Sequence, residues 1–172
     1  MSVTIGALRE RAPRETRVSL VPEVTDKLIK EGARVLIERS AGERAGFPDS
    51  HYKGVVWAST ADEVLQGADV VLTVQPLTLA QIAQLRGSAV LVGFMQPYAR
   101  AAEVRALKAR GVTSFAMELV PRISRAQSMD ALSSQASIAG YKAVLITASA
   151  AAMRASSTSC CFAFASALSS RA

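Results

Sequence analysis

Histidine, tryptophan and cysteine are nearly missing from this chain: one, one and two among 172 residues. The two cysteines, Cys160 and Cys161, are adjacent, so they bridge each other only with strain and lack the spacing of a metal site. No metal is expected. Catalytic pairs are scarce for the same reason, since Ser19, Ser124 and Ser128 show no sign of a His–Asp partnership. The lone His51 follows FPDS in a polar loop and reads as solvated. A glycine-rich phosphate turn is also absent. There is no GxGxxG and no Walker pattern, and the ten glycines sit singly as helix stops or loop residues.

Long apolar runs are lacking too. The most apolar late stretch, residues 143–153, is broken by Arg154 and is shorter than the ~20 residues a spanning helix needs. Residues 2–7 pass straight into charged positions without the apolar core or cleavage pattern of a signal peptide. Aromatics make up 5%, and the formal charge of +6 is scattered rather than run together. Nucleic acid is therefore not an expected partner. A chain of this length with 50% hydrophobic and 20% charged residues supports one ordinary globular core.

What is present is alternation. Residues 3–7 (VTIGA), 34–38 (RVLIE), 69–74 (DVVLTV), 89–94 (AVLVGF) and 112–115 (VTSF) read as buried strands. Helical patterns fall between them. Pro22 and Glu23 open the first, with Val24 and Leu28 on one face and Gly32 as the stop. Residues 61–65, 79–85 and 101–109 follow, with Gly67 and Gly111 ending the first and last of these. This spacing predicts parallel βαβ units: an α/β, flavodoxin-like or Rossmann-like sheet flanked by helices. From Ser128 onward Met129, Leu132, Ala136, Ala139 and Ala143 recur at helical steps, predicting a long helix. Residues 147–172 are dominated by Ala and Ser without a clear period, and an irregular tail is expected there.

Two polar stretches stand out. RERAPRETRVSLVP alternates Arg and Glu after the first strand; it reads as a solvated loop with ion pairs worth ~0–1 kcal/mol each, the sharper alternative making Arg17 an anion anchor. The second, PRISRAQSMDALSS (residues 121–134), gathers Arg122, Arg125, Gln127 and Asp130 beyond the last strand. Ligands in parallel sheets collect at that strand-end edge. These side chains could cap the next helix. An arginine, an amide and a carboxylate could equally hold an amide-bearing ring and ribose hydroxyls. The residue types allow both.

The pieces IGALRER, ETRVSLVPEVTDKLIKEGARVLIE, SAGERAGFPDSHY and above all VPRISRAQSMDALSSQASIAGYKAV resemble the N-terminal region of the alpha subunit of proton-translocating NAD(P) transhydrogenases, relatives of alanine dehydrogenase. The resemblance covers residues 3–146. It implies that Arg122, Gln127 and Asp130 reach the nicotinamide end of NAD(H), with Ser133 and Tyr141 as nearby supports. It also implies hydride transfer from NADH to NADP⁺, with NADP(H) on a partner domain and proton movement in a membrane component. The implied partners are another alpha subunit in a homodimer and the NADP-binding and membrane subunits. The implied location is cytoplasmic, peripheral at the inner face of the bacterial plasma membrane. At the places where alanine dehydrogenases carry a pyruvate-binding lysine and a catalytic histidine, this chain has Gln75 and Gln96. That disfavours amino-acid chemistry.

The division expected from these patterns is residues 1–146 as the N-terminal α/β domain and 147–172 as a low-complexity tail. In the family an NAD-binding Rossmann domain follows, so the tail reads as a frameshifted or prematurely ended frame. The chain alone is expected neither to bind NADH tightly nor to transfer hydride. The other readings are a non-catalytic dimerisation or regulatory partner of intact subunits, and a residual alanine dehydrogenase relative.

Overall fold

The computed structural model describes residues 2–169, with side-chain surroundings through residue 151. Two compact units emerge, Met1–Met129 and Asp130–Ala172. The boundary expected at 146/147 falls inside a helix of the second.

The first unit is a single sheet of parallel strands: β1 (Thr4–Ala7), β2 (Arg34–Glu38), β3 (Val56–Ala58), β4 (Val70–Leu72), β5 (Val90–Gly93) and β6 (Thr113–Ala116), ordered β3-β2-β1-β4-β5-β6. All five strands expected from apolar runs are present. The sixth, β3, has only three residues, too few for a periodic signal, and is defined by pairing Leu36 with Val56 and Glu38 with Ala58.

Helices α1 (Pro22–Lys30), α2 (Ala61–Gly67), α3 (Leu79–Gln84) and α4 (Ala101–Ala109) link the strands. Pro22 occupies the first turn of α1, Lys27 reaches Glu23 at 2.8 Å one turn away, and Gly32, at φ 90°, ends the helix where a side chain would be strained. Thr78 and Gln81 form a reciprocal capping box at α3. Strand alternation sorts the core into two layers. Leu8, Val71 and Leu91 pack with Val64, Leu65, Ile82 and Leu107 of α2, α3 and α4. Ala7, Val35 and Ile37 pack on the other face, joined by Leu28 and Ile29 of α1. Residues one apart on a strand thus feed opposite cores.

The second unit is one helix, α5 (Ala131–Ser169). The irregular tail expected from residue 147 is instead helical through Ser169. Alanine is the best intrinsic helix former, so low complexity removed the amphipathic period without removing the preference for helix. Cys160 and Cys161 lie outside the residues whose side chains are described.

Candidate functional site

The carboxyl ends of the strands carry the chemistry-bearing side chains. The loop after β1 sends Glu10 across to the end of β4, where its carboxylate accepts the amides of Val74 at 2.5 Å and Gln75 at 3.2 Å. Burial pushes the Glu10 carboxyl up, and the two amide bonds oppose that. Glu38, at the end of β2, accepts the Arg9 amide at 2.9 Å and pairs with Arg11. Glu118, after β6, accepts the Met95 amide at 2.8 Å and the Gln96 amide at 2.5 Å. Its other oxygen is buried without a partner among the described residues. The exposed amides at the ends of β1, β4 and β5 are thus each closed by a carboxylate from another loop or strand end.

The Arg–Glu loop also does more than face water. Arg17 grips Glu15 with two nitrogens, at 2.8 and 2.7 Å, and its guanidinium lies 6.0 Å over the Phe94 ring. The Arg17 guanidinium holds the buried Glu15 carboxyl down to about 2. Gln75 donates its side-chain amide to the same carboxylate at 2.5 Å. Arg17 is therefore a paired, half-exposed cation, closer to the ion-pair reading than to a free anion anchor.

The polar segment beyond β6 places Arg122, Arg125 and Gln127 in the first unit. All three side chains are exposed and without partners among the described residues. Asp130 begins the second unit. Its carboxylate accepts the Ser133 amide at 3.0 Å and the Ser133 hydroxyl at 2.6 Å, which makes it the N-cap of α5. Tyr141 lies further along α5, 70% exposed. The structure brings Asp130 and Ser133 into contact, and it leaves Arg122 and Gln127 uncommitted on one segment. For the Asp130 carboxylate the capping alternative is realised. His51 is exposed at the end of a short 3-10 turn.

The three strand-end carboxylates escaped the sequence reading. Glu10 meets its amide partners 64 and 65 positions away, a pairing no local pattern announces. Among the described residues no group of three His, Cys, Asp or Glu could hold a metal, and no helix is long and apolar enough to cross a membrane.

Residues 6–139 match the family described as alanine dehydrogenase/PNT, N-terminal domain. The chain is 44% identical over 148 residues to the first of the separate alpha-subunit chains of the Rhodospirillum rubrum NAD(P) transhydrogenase, covering 82% of this chain and 38% of the relative. It is 40% identical over 147 residues to the chain of the same name from Rickettsia prowazekii, with the same coverage on both sides. A solved transhydrogenase from Sinorhizobium meliloti superposes with a TM-score of 0.78 at 40% identity, over 83% of this chain and 43% of that one. The chain spans less than two fifths of the length of these curated relatives.

Proposed function

The chain belongs to the alanine dehydrogenase/PNT N-terminal domain family, and from that premise we propose that it serves as the nicotinamide-facing portion of an NAD(P) transhydrogenase alpha subunit. One observation carries this reading. Arg122 and Gln127 stand exposed and uncommitted at the strand-end edge, inside the stretch that marks the resemblance. Their chemistry fits the ring: a guanidinium and an amide donate to a carboxamide oxygen, and the glutamine oxygen accepts from a carboxamide nitrogen. Asp130 and Ser133 would add hydroxyl-binding oxygens, and Tyr141 a flanking ring. NAD(H), when bound, supplies the hydride, and NADP(H) on a partner domain receives it. The chain's role is orientation. These side chains need move no proton, because near-attack placement of the ring suffices.

The partners proposed are a second alpha subunit and the NADP-binding and membrane subunits. The location proposed is the cytoplasmic side, peripheral to the membrane. Alanine dehydrogenase chemistry is disfavoured, since Gln75 is a neutral amide engaged with Glu15 and Gln96 offers no proton donor of the imidazole kind.

The test is a chimera in which this chain replaces the matching 148 residues of the Rhodospirillum rubrum protein. Hydride transfer from NADH to NADP⁺ is then followed with the partner subunits present. Transfer is expected, with R122A and Q127A each lowering kcat by about tenfold to a hundredfold from lost orientation. A folded chimera that binds NADH yet is indifferent to both substitutions overturns the reading.

A second reading, a non-catalytic partner of an intact alpha subunit, draws on one observation. Sheet register aligns Ala7, Leu72, Val92 and Phe115 in a row, and exposure rises along it from 0% at Ala7 to 56% at Phe115. An apolar face left open in this way suits a covering partner. Co-purification with a full-length alpha subunit, without restored transfer, would favour it.

A further inference from the structure

The strand order steps one way from β1 through β2 to β3 and the other way from β4 through β5 to β6, so the direction reverses between β1 and β4. Open parallel sheets hold ligands beyond the strand ends at such a reversal. A cavity of about 310 Å³ opens there, between the loops after β1 and β4. Backbone cradling of a diphosphate is closed off, because Glu10 already occupies the Val74 and Gln75 amides. The cavity offers side chains in their place. Arg9 and Arg11 come from the β1 loop, Arg100 from just before α4, and Thr73, Thr78 and Gln81 complete the polar lining.

These cations differ in how far they are neutralised. Glu38 holds Arg11, and Glu103 takes one nitrogen of Arg100 at 3.2 Å, leaving that guanidinium's other edge open. The Arg9 backbone is pinned by its amide bond to Glu38 at 2.9 Å, while its guanidinium has no partner among the described residues. We propose that this cavity binds a small oxyanion, a phosphate ester or carboxylate, with Arg9 as its charge partner and the open edge of Arg100 as second donor. A planar guanidinium suits either headgroup. The hydroxyls and the glutamine amide suit a hydroxylated body. The volume lies at the small end of ligand pockets, which restricts the ligand to a small metabolite. This site is separate from the segment carrying Arg122 and Gln127.

Calorimetric titration of the full 172-residue chain with inorganic phosphate, glycerol 3-phosphate and malate tests it. Saturable one-to-one binding of at least one probe is expected, weakening between about 50 and about 200 mM salt. R9Q should lower affinity at least about tenfold. R9K should retain some of it, and R105Q, an exposed arginine of α4 outside the cavity, should change nothing. R9Q breaks no side-chain contact, so its fold, checked by circular dichroism, should be intact. Binding of the phosphates alone identifies a phosphate ester, and binding of malate alone a carboxylate. No saturable heat with any probe, or R9Q titrating like R105Q, overturns the proposal. No nucleotide enters the experiment, so its outcome is independent of the nicotinamide reading.

Discussion

Glu10 and Glu15 lie on one loop, yet their carboxyls are pushed in opposite directions, and the acid response of the protein follows from the difference. Arg17 holds Glu15 at about 2, below its ordinary 4.5, so its contribution is present above the ordinary value and is lost as pH falls through about 2. Glu10 is raised by burial, so its contribution is present below the ordinary carboxyl range and is lost as pH rises through its folded value. Urea unfolding should therefore show the gap between wild type and E15Q shrinking from pH 6 to pH 2. The loss should be about 1 kcal/mol, because Arg17 is 42% exposed and solvent screens the pair. A gap that stays constant would refute the ion-pair assignment. Gly93 gives a second test. An added Cβ would collide with the Thr73 carbonyl oxygen and meet the Thr73 hydroxyl at 2.5 Å. G93A should cost about 1–3 kcal/mol through overpacking, read as a lower urea midpoint at unchanged slope. Little of this residue-level detail was legible in the sequence. Arg122 and Gln127 were found because dense polar residues break an apolar rhythm. Glu118 was missed because a carboxylate that caps two amides resembles any surface glutamate in sequence.

Elements were more legible than residues, and the exceptions have physical causes. Residues 34–38 and 89–94 announce strands because they are buried on both sides of a parallel sheet, whereas Val56–Ala58 owes its strand to β2 and has no pattern of its own. Helix α5 is the converse case: intrinsic propensity outlived the loss of period. Its start has two separable roles. Asparagine caps a helix about as well as aspartate, while alanine costs about 1 kcal/mol. D130N should therefore keep the first turn of α5, seen as unchanged amide-exchange protection at Ser133 and Ser134, and D130A should fray it. If the Asp130 charge also serves the nicotinamide site, D130N will still slow transfer in the chimera. Equal rates for wild type and D130N would confine Asp130 to capping. Further along, Gly140 has nothing within 4 Å of an added Cβ. G140A should raise helicity and stabilise α5 by about 1 kcal/mol, measured by far-ultraviolet circular dichroism on heating.

At the scale of the whole molecule, the question is what a parallel sheet of this order can do when its strand-end amides are already bonded. In dinucleotide-binding sheets of the same strand order, phosphate is held by bare backbone amides at a glycine-rich turn after the first strand. Here that connection runs from residue 8 to 21 without such a turn, and Glu38, Glu10 and Glu118 close the amides at the ends of β1, β4 and β5. A pyrophosphate approaching this edge would meet three carboxylates before it met a free amide. The relatives are more than twice as long, so in them phosphate binding has other chain to draw on. The 172-residue chain by itself offers the nicotinamide end of the cofactor only a guanidinium and an amide, contacts worth about 1–3 kcal/mol each even when charge-assisted. After the cost of immobilising a flexible dinucleotide, that leaves millimolar affinity at best. Calorimetric titration of this chain with NADH should accordingly give no saturable heat in the micromolar range. A micromolar dissociation constant would mean that the strand-end carboxylates yield to phosphate, and E10Q would then be expected to tighten it further.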